Sequence, residues 1–535
     1  MTKVLGPLQF SPSEAKLFRD FLSEIDYTPS GIADLLVQGT GKCGESQSAS
    51  TRLSSALNHS PLETILRLFL LHQPIEVDLA RQTVQETDLY YWVRIGLIRI
   101  EHGTVFPLVH IFPYAGLLLV CDHQQTAHGY NSQIQLPHDG TKSSEPADFV
   151  TGLNEPCMQL ANATIRNPIG SFLDLGSGCG IQSFLASEHC RSVLGVDCNP
   201  RAISIARFNA ILNQIDHVDF QQADMQRVGT SQKFDFVVSN PPSVIQPGFR
   251  SFYRDNGCAA DNFCRNLVQN SQFLLQEHGL FQMVFDWAHL KGQSWQERLS
   301  AWCEESGCDA WVMKWETKDI SEYAQHWNRE WKHEAVFSDI YQRWMTWYAE
   351  QRIEAVSSGM ITMRKIGTRP NWFRADDAPG DFNSAVGTDV QQLFESSEWL
   401  QASDQKLLTT CFKLHPTVCL DQKLKQESGT WTIASASLRR REGIPYQGEI
   451  DSLTANLLPQ CDGTTSYGGL LAKLAKSNHR TAAEITPVYL NVLRRLLRRG
   501  FLQAEEKALV TEPHSPHALN HNPSIPSEQT LVAAN

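Results

Sequence analysis

Short apolar runs alternate with amphipathic stretches through residues 151–367. The apolar runs have the length and composition of buried strands, and they lie at 172–175, 193–196, 218–221, 234–238, 280–285, 310–315 and 360–363. Most of the gaps between them carry apolar residues at helical spacing, for example 200–213 and 262–276. This alternation predicts an α/β fold with a seven-stranded, doubly wound sheet.

The first 150 residues follow a different pattern, with helices first and a β-hairpin after them. The sequence SPSE from Ser11 predicts a capping box with proline at the first helical position. A further apolar helix is expected over 62–71, and two β-rich runs flank a turn at Gly103. We therefore predict a mostly helical, winged-helix-like domain over 1–150, with 124–149 as a polar surface connection.

The C-terminal third contains a second candidate unit of the same kind. Residues 368–389 have the composition of a linker, 390–508 predict another winged-helix-like domain, and 509–535 predict a disordered tail. The run LLRRGFL from Leu496 resembles WVRIGLI from Trp92, because in both a helical pattern stops at glycine before a strand. A duplicated module and a chance similarity both explain this likeness.

Composition narrows the class of protein without naming a function. A chain of 535 residues is too long for one core, and a formal charge of −12 disfavours a strongly basic surface that coats nucleic acid. The cysteines form no CxxC pair, which favours reduced thiols and a cytoplasmic protein. We expect no signal peptide, no membrane span and no metal site, because the corresponding apolar runs and ligand spacings are missing from the sequence.

One strand runs directly into a glycine-rich turn, in the sequence SFLDLGSGCG at 171–180. Gly176, Gly178 and Gly180 are spaced G-x-G-x-G, whereas the dinucleotide fingerprint G-x-G-x-x-G needs glycine where this chain has Ile181. The departure disfavours NAD and FAD and favours a ligand without a pyrophosphate. We interpret the three glycines as a cradle that lets the backbone approach that ligand closely.

Three aspartates close successive predicted strands near this turn. Asp174 is expected to accept from an α-ammonium group, Asp197 to bind both hydroxyls of a ribose, and Asp224 to accept from an adenine amine. Cys198 and Met225 would then line the two faces of the adenine. An ordinary set of strand-end aspartates is the alternative, but three in succession favour S-adenosylmethionine as the cofactor.

The fourth predicted strand ends in Asn-Pro-Pro, within FDFVVSNPPS. A conjugated nitrogen is a poor nucleophile, and two acceptors that bind its N–H groups would aim its lone pair at a methyl group. We assign those acceptors to the Asn240 side chain and the Pro241 carbonyl, with Pro242 stiffening the turn because proline has no N–H and a fixed φ. Asn240 is also counted among the cofactor-binding residues. An ordinary strand-end turn is the alternative.

At these residues the chain resembles the class I N-methyltransferases with a small methyltransferase domain. That family includes release-factor glutamine methyltransferases and ribosomal-RNA amine methyltransferases, and the resemblance covers about 151–367, with LDLGSGCG, GVDCNP, QQAD and SNPP as its motifs. It implies a Rossmann-like methyltransferase sheet of seven strands. Carried over residue by residue, the amine contacts fall on Asn240 and Pro241, and the cofactor contacts fall on Asp174, Gly176, Asp197 and Asp224.

The chain departs from the family at Ser243, where the family usually has Tyr or Phe stacked on the planar target. Phe249, Phe252 or Tyr253 could supply the missing ring, or the segment could be a plain loop. The departure leaves room for a changed substrate or for lost catalysis.

Two further features have both a functional and a structural interpretation. Nine of the thirteen tryptophans lie between Trp287 and Trp347, where they could cap a site or stack on a base, or could simply pack. Two arginine groups could contact phosphate or form solvated surfaces, and they comprise Arg439, Arg440, Arg441, Arg494, Arg495, Arg498 and Arg499.

The sequence thus predicts an S-adenosylmethionine-dependent enzyme that methylates a planar amine nitrogen. A base of ribosomal or transfer RNA is the leading acceptor, and the partner would then be RNA or a ribonucleoprotein. A protein glutamine is the rival acceptor, and a cofactor-binding regulator without methyl transfer is a third hypothesis. The pattern does not predict an oligomeric state.

Overall fold

The computed structural model describes residues 5–28, 30–32, 34–35, 60–122, 146–228, 232–248, 260–329, 336–380, 382, 385–427 and 429–505. Its helices are α1 (Pro12–Glu24), α2 (Pro61–Phe69), α3 (Val77–Thr83), α4 (Glu86–Ile95), α5 (Glu155–Ala163), α6 (Ile181–Ser187), α7 (Pro200–Leu212), α8 (Asn262–Leu274), α9 (Trp295–Cys303), α10 (Ile320–Trp327), α11 (Phe337–Gln351), α12 (Gly387–Leu400), α13 (Asp404–Thr409), α14 (Ser452–Leu457), α15 (Tyr467–Ser477) and α16 (Ala482–Arg498).

The structure also contains nineteen strands among the described residues. They are β1 (Ile75–Glu76), β2 (Ile98–Glu101), β3 (Thr104–Pro107), β4 (Val109–Tyr114), β5 (Leu117–Asp122), β6 (Ile169–Leu175), β7 (Cys190–Asp197), β8 (Val218–Gln222), β9 (Phe234–Ser239), β10 (Leu275–Leu290), β11 (Cys308–Asp319), β12 (Ile353–Lys365), β13 (Phe373–Asp377), β14 (Cys411–Leu414), β15 (Val418–Glu427), β16 (Thr430–Arg440), β17 (Gln447–Ile450), β18 (Asp462–Ser466) and β19 (Leu502–Glu505).

The central sheet has the strand order β13-β11-β12-β10-β9-β6-β7-β8. Strands β8, β7, β6, β9 and β10 run parallel, and β12 is antiparallel to both of its neighbours. The order reverses between β6 and β9, and ligands of open α/β sheets bind at such a reversal, beyond the carboxyl ends of the strands.

All seven predicted strands lie in this sheet, but the predicted number was wrong because the sheet has eight strands. The eighth, β13, comes from the segment expected to be a linker and pairs in parallel with β11. Strand β13 was not predicted because two charged residues interrupt its apolar pattern. Arg374 stacks over the Trp311 ring at 4.5 Å, and Asp376 accepts from Trp311 Nε1 at 3.0 Å.

The N-terminal region places helices beside a small sheet. Helix α1 begins with the expected capping box, which is confirmed, and β1, β3 and β2 form a three-stranded sheet beside α2, α3 and α4. Strands β4 and β5 form a separate hairpin. Most of the expected surface connection at 124–149 lies outside the described residues, but Phe149 within it is buried.

Asn209 of α7 and Asn213, the C-cap residue of that helix, hold this hairpin against the central domain. Asn209 accepts from Val120 N and donates to Val120 O, both at 2.9 Å, and Asn213 does the same to Leu118 at 2.8 and 2.7 Å. Their side-chain amides thus take the place of a neighbouring strand along β5. A buried ion pair beside them joins Arg201 Nε to Asp122 Oδ2 at 2.9 Å.

The C-terminal region contains two small sheets, ordered β18-β14-β19 and β15-β16-β17, with α12 packed against α16. It is tied to the central sheet through β13, because Arg374 donates to the carbonyl of Arg498 and Arg498 Nε donates to Asp376 Oδ1, both at 2.7 Å. No helix among the described residues is long and apolar enough to cross a membrane.

Candidate active site

A cavity of about 400 Å³ lies at the carboxyl ends of β6, β7 and β9, where the strand order reverses. Its wall brings together residues from well-separated stretches of the chain: the turns that follow β6, β7 and β8, the Asn-Pro-Pro turn, the segment that leads from Phe149 into α5, and Phe263 of α8. Among the residues predicted from the sequence, those in the wall are Asp174, Gly176, Gly178, Asp197, Cys198, Asp224, Met225, Asn240, Pro241 and Pro242.

The glycine turn after β6 needs its glycines for two different reasons. All three have positive φ angles, of +81° at Gly176, +53° at Gly178 and +91° at Gly180. A Cβ on Gly176 would come within 2.9 Å of the Met225 side chain at the cavity. Gly180 instead starts α6 and packs against the Phe184 ring, where a Cβ would lie only 2.7 Å away, and it is not part of the cavity wall.

Asp174 is buried at the base of the turn. One of its oxygens, Oδ2, accepts from the Ser183 backbone N–H at 3.1 Å and from the Ser183 hydroxyl at 2.7 Å. Burial raises the pKa of the Asp174 carboxyl to about 7, although both bonds from Ser183 lower it. The carboxyl is therefore balanced between its neutral and charged forms near neutral pH, and a cation in the cavity would favour the charged form.

Asp197 ends β7 with each of its carboxylate oxygens held by a backbone N–H group. Gly178 N donates to Oδ2 at 2.9 Å, and Asn199 N donates to Oδ1 at 2.8 Å. Burial raises the pKa of Asp197, while these two bonds lower it. Because each oxygen of a carboxylate can accept more than one hydrogen bond, both remain able to accept from a ligand in the cavity.

The third aspartate lies nearer the solvent. Asp224 Oδ1 accepts from Gln226 N at 3.0 Å, which keeps the carboxylate at the rim of the cavity. Cys198 is exposed and Met225 is buried, and both line the cavity with it. The three strand-end aspartates therefore share one cavity, as their order along the sequence predicted.

The Asn-Pro-Pro turn follows β9. This strand and β7 lie on opposite sides of β6, which carries the glycine turn. Ser239 is buried, and its hydroxyl donates to the carbonyl of Leu175 at 2.8 Å, which joins the end of β9 to the end of β6. A Cβ on Gly176 would lie 3.9 Å from the Asn240 carbonyl oxygen, so the two turns are close neighbours. Ser243 is not part of the cavity wall, and Phe249, Phe252 and Tyr253 lie outside the described residues.

Several wall residues were not predicted. Ser177, within the glycine turn, is buried, and its hydroxyl has no hydrogen-bond partner among the residues that the structure describes. Phe149 and Thr151 reach the cavity from the segment that follows the N-terminal region. Ser177 could have been inferred from its place between two glycines of the cradle, but no sequence signal marks Phe149 or Thr151.

Aromatic residues of the tryptophan-rich stretch pack rather than face the cavity. Tyr323, Trp344 and Tyr348 are buried in a cluster of their own, so they offer no ring on which a base could stack. Trp331 lies outside the described residues. For the aromatic residues on α10 and α11, packing is therefore a better interpretation than stacking on a base.

Four arginines from the two basic groups are paired with carboxylates. A paired guanidinium offers less positive potential to a phosphate than a free one does. The pairs are Arg439 with Asp421 (2.8 Å), Arg440 with Asp389 (2.7 Å), Arg494 with Asp404 (2.8 Å) and Arg498 with Asp376 (2.7 Å). Within the described ranges, no group of three or more His, Cys, Asp or Glu side chains could hold a metal ion.

Family models match two parts of the chain. Residues 168–345 match a model described as a methyltransferase domain, and residues 391–504 match a domain of unknown function, DUF7782. The first match runs from β6 into α11 and thus contains most of the cavity wall.

Curated relatives and solved structures match part of the chain as well. A release factor glutamine methyltransferase of Aliivibrio fischeri is 43% identical over 132 residues, which cover 21% of this chain and 46% of that protein. An uncharacterized RNA methyltransferase of Protochlamydia amoebophila is 34% identical over 91 residues, covering 16% of this chain and 21% of that protein. A tRNA m1G37 methyltransferase structure from M. jannaschii is 14% identical, with a TM-score of 0.28, covering 48% of this chain and 57% of that one. The chain spans less than half the length of these two curated relatives.

Proposed function

We propose that the class I S-adenosylmethionine-dependent methyltransferase domain at residues 168–345 methylates a planar amine nitrogen, and that this nitrogen is the side-chain amide of a protein glutamine. One observation carries the proposal. The glycine turn, the three strand-end aspartates and the Asn-Pro-Pro turn, although far apart in sequence, border a single cavity.

The cavity fits the cofactor at each of its polar groups. The missing side chain at Gly176 leaves room for the methionine part, Asp174 would accept from its ammonium group, and the orphan hydroxyl of Ser177 would donate to its carboxylate. Asp197 would accept from both ribose hydroxyls, and Asp224 from the adenine amine. When bound, the cofactor supplies an electrophilic methyl group on a positively charged sulfur.

The Asn-Pro-Pro turn prepares the acceptor nitrogen. An amide or ring-attached nitrogen shares its lone pair with the adjacent π system, so it needs help to become a nucleophile. The Asn240 side-chain oxygen and the Pro241 carbonyl would each accept one N–H, which holds the lone pair toward the cofactor side of the cavity. Pro242 offers no competing donor. Such positioning supplies most of what an in-line methyl transfer requires.

A glutamine amide suits this site better than an RNA base. A carboxamide offers a smaller planar surface than a base, so it loses less stacking where this chain has Ser243 in place of an aromatic residue. Four arginines that would have supported RNA binding are paired with carboxylates, and the formal charge is −12. Among the relatives, several are named release factor glutamine methyltransferases.

Methyl transfer into fractionated cell extract tests the acceptor class. We expect tritium from labelled S-adenosylmethionine to enter the protein fraction of cells that lack the gene, and amino-acid analysis to recover it as N5-methylglutamine. Label in RNA instead would refute the glutamine proposal. Tight cofactor binding without label in any fraction would indicate a regulator that does not transfer methyl groups.

An RNA base is the second candidate acceptor. It is supported by the arrangement of α2, α3 and α4 beside the sheet β1-β3-β2, which we interpret as winged-helix-like, and by the relative named as an RNA methyltransferase. Under this alternative, RNA binding would weaken steeply between low and moderate salt, whereas transfer to glutamine would depend much less on salt.

We infer a cytoplasmic location from the cysteines. Every cysteine in the described ranges is a free thiol, and most are buried. Free buried thiols are typical of proteins kept in a reducing compartment.

Asp174 makes cofactor affinity depend on pH. Its pKa is about 7, and the cofactor ammonium prefers the ionised carboxylate, so binding releases a proton below that pH. We expect the affinity to rise as the pH increases from 6 to 7, by at most about tenfold per unit, and to level off above it. Asp174→Asn should flatten this profile in titration calorimetry. A wild-type profile no steeper than that of the variant would contradict the assignment.

A further inference from the structure

We propose that Tyr323 and Tyr348, on the two helices inserted between β11 and β12, are positioning residues that hold the acceptor side of the site through the backbone of Ile245. The inference rests on the proposed function, because it takes the Asn-Pro-Pro turn as the amine clamp. It gives a role to part of the tryptophan-rich stretch that neither the cofactor cavity nor the amine clamp uses.

Two tyrosine hydroxyls bind both polar groups of one backbone residue. Ile245 N donates to Tyr323 Oη at 3.1 Å, and Tyr348 Oη donates to the carbonyl oxygen of Ile245 at 2.8 Å. All three residues are buried, with exposed fractions of 0% for Ile245, 2% for Tyr323 and 0% for Tyr348. Buried backbone groups outside helices and strands need such partners, so the two hydroxyls supply what secondary structure would otherwise provide.

A carboxylate fixes the direction of the Tyr323 hydroxyl. Tyr323 Oη donates its single proton to Asp286 Oδ2 at 2.6 Å, so its lone pair is what faces the Ile245 N–H. The other oxygen of Asp286 accepts from the Ser358 hydroxyl, also at 2.6 Å. Burial raises the pKa of Tyr323, which keeps the proton on its hydroxyl. The hydrogen bonds therefore run from the Ile245 N–H through the Tyr323 hydroxyl to Asp286.

These hydrogen bonds lie beside the amine clamp. Met283 of β10 is the register partner of Ser239, the residue before Asn240, so Asp286 lies further along the same strand, beyond the level of the turn. Ile245 is five residues after Asn240 on the chain. A shift at Ile245 would thus be transmitted along a short, partly proline-stiffened segment to the two acceptors of the amine.

The insert builds its own apolar cluster around this segment. Val244 and Ile245 pack with Tyr323, Trp344 and Tyr348 in a cluster distinct from the two larger cores of the chain. Two inserted helices whose packing centres on the residues just after the clamp are well placed to fix its conformation.

Removing the two hydroxyls tests the proposal. Tyr323→Phe and Tyr348→Phe keep the packing, and Tyr341→Phe is the matched control, because its hydroxyl bonds Ser321 at 2.8 Å within the same insert. In the double variant we expect amide exchange at Ile245 to accelerate at least tenfold. We expect kcat/KM with the fraction that the wild type labels to fall at least tenfold, while affinity for S-adenosylhomocysteine stays within twofold.

The outcomes separate this inference from the proposed function. Exchange and kinetics equal to those of Tyr341→Phe would overturn the positioning role, and so would a parallel loss of S-adenosylhomocysteine affinity, which indicates general destabilisation. Full activity of Asn240→Ala would instead overturn the amine clamp. Amide exchange at Ile245 is measured without a methyl-acceptor substrate. It therefore tests the hydrogen bonds of the two tyrosines whether or not the amine clamp is correct.

Discussion

Replacing Asn240 by alanine is expected to lower methyl transfer by about 100- to 1000-fold, the usual cost of losing one group that stabilises a transition state. The substitution removes one of the two acceptors for the target N–H groups and leaves the Pro241 carbonyl in place. The lone pair of the nitrogen then stays conjugated with the adjacent π system, so the nitrogen remains a poor nucleophile. Because Asn240 also borders the cofactor, some cofactor affinity will be lost, but we expect less than about tenfold, the value of one ordinary hydrogen bond.

Single-turnover transfer and calorimetry with S-adenosylhomocysteine measure the two effects separately. Asn167→Ala is the control, since Asn167 is exposed and its side chain bonds only Gln391 among the described residues. Asn240→Asp should fall between alanine and wild type, because it keeps acceptor oxygens but adds a charge. Equal rates for Asn240→Ala and wild type would show that another group activates the amine.

Much of the site could be predicted because its residues lie at the carboxyl ends of strands. In a parallel sheet the carboxyl ends of neighbouring strands meet at one edge, so a residue that follows an apolar run has a predictable position. Asp174, Asp197 and Asp224 lie at or just beyond the ends of such runs, and all three line the cavity. The Asn-Pro-Pro turn was locatable for the same reason.

Features built from side-chain hydrogen bonds to distant backbone could not be predicted. Asn209 and Asn213 replace a strand neighbour along β5, yet asparagine in a helix has no pattern that reveals its partner. The tyrosine contacts to Ile245 span 78 and 103 residues of chain. Periodicity reports which face of an element is buried, and it carries no information about which polar groups meet across such separations.

Charge along the sequence was also a poor guide to surface potential. The two arginine groups left both a phosphate-binding surface and a solvated surface open. Their partners, such as Asp376 on β13 and Asp404 at the start of α13, are remote in sequence and became visible only in the fold. The eighth strand was missed for a related reason, because Arg374 and Asp376 within it find their partners in Trp311, Ser397 and the Arg498 carbonyl, which are distant in sequence.

Replacing Asp197 by alanine is expected to weaken S-adenosylmethionine binding by about 100- to 1000-fold. Two hydroxyl donors would lose a charged acceptor, and a hydrogen bond to a charged group contributes about 1.5–3 kcal/mol. Asp219→Ala is the control, because Asp219 lies exposed on β8 and is not part of the cavity wall.

The same variant also frees the backbone N–H groups of Gly178 and Asn199, so weaker binding alone would not prove a contact with ribose. An analogue of S-adenosylhomocysteine that lacks both ribose hydroxyls separates the two causes in a double-mutant cycle. The analogue should bind wild type and Asp197→Ala with affinities within about threefold, since the lost carboxylate has no hydroxyl left to accept from. A loss as large for the analogue as for the parent compound would mean that the glycine turn had collapsed and that the ribose assignment is wrong.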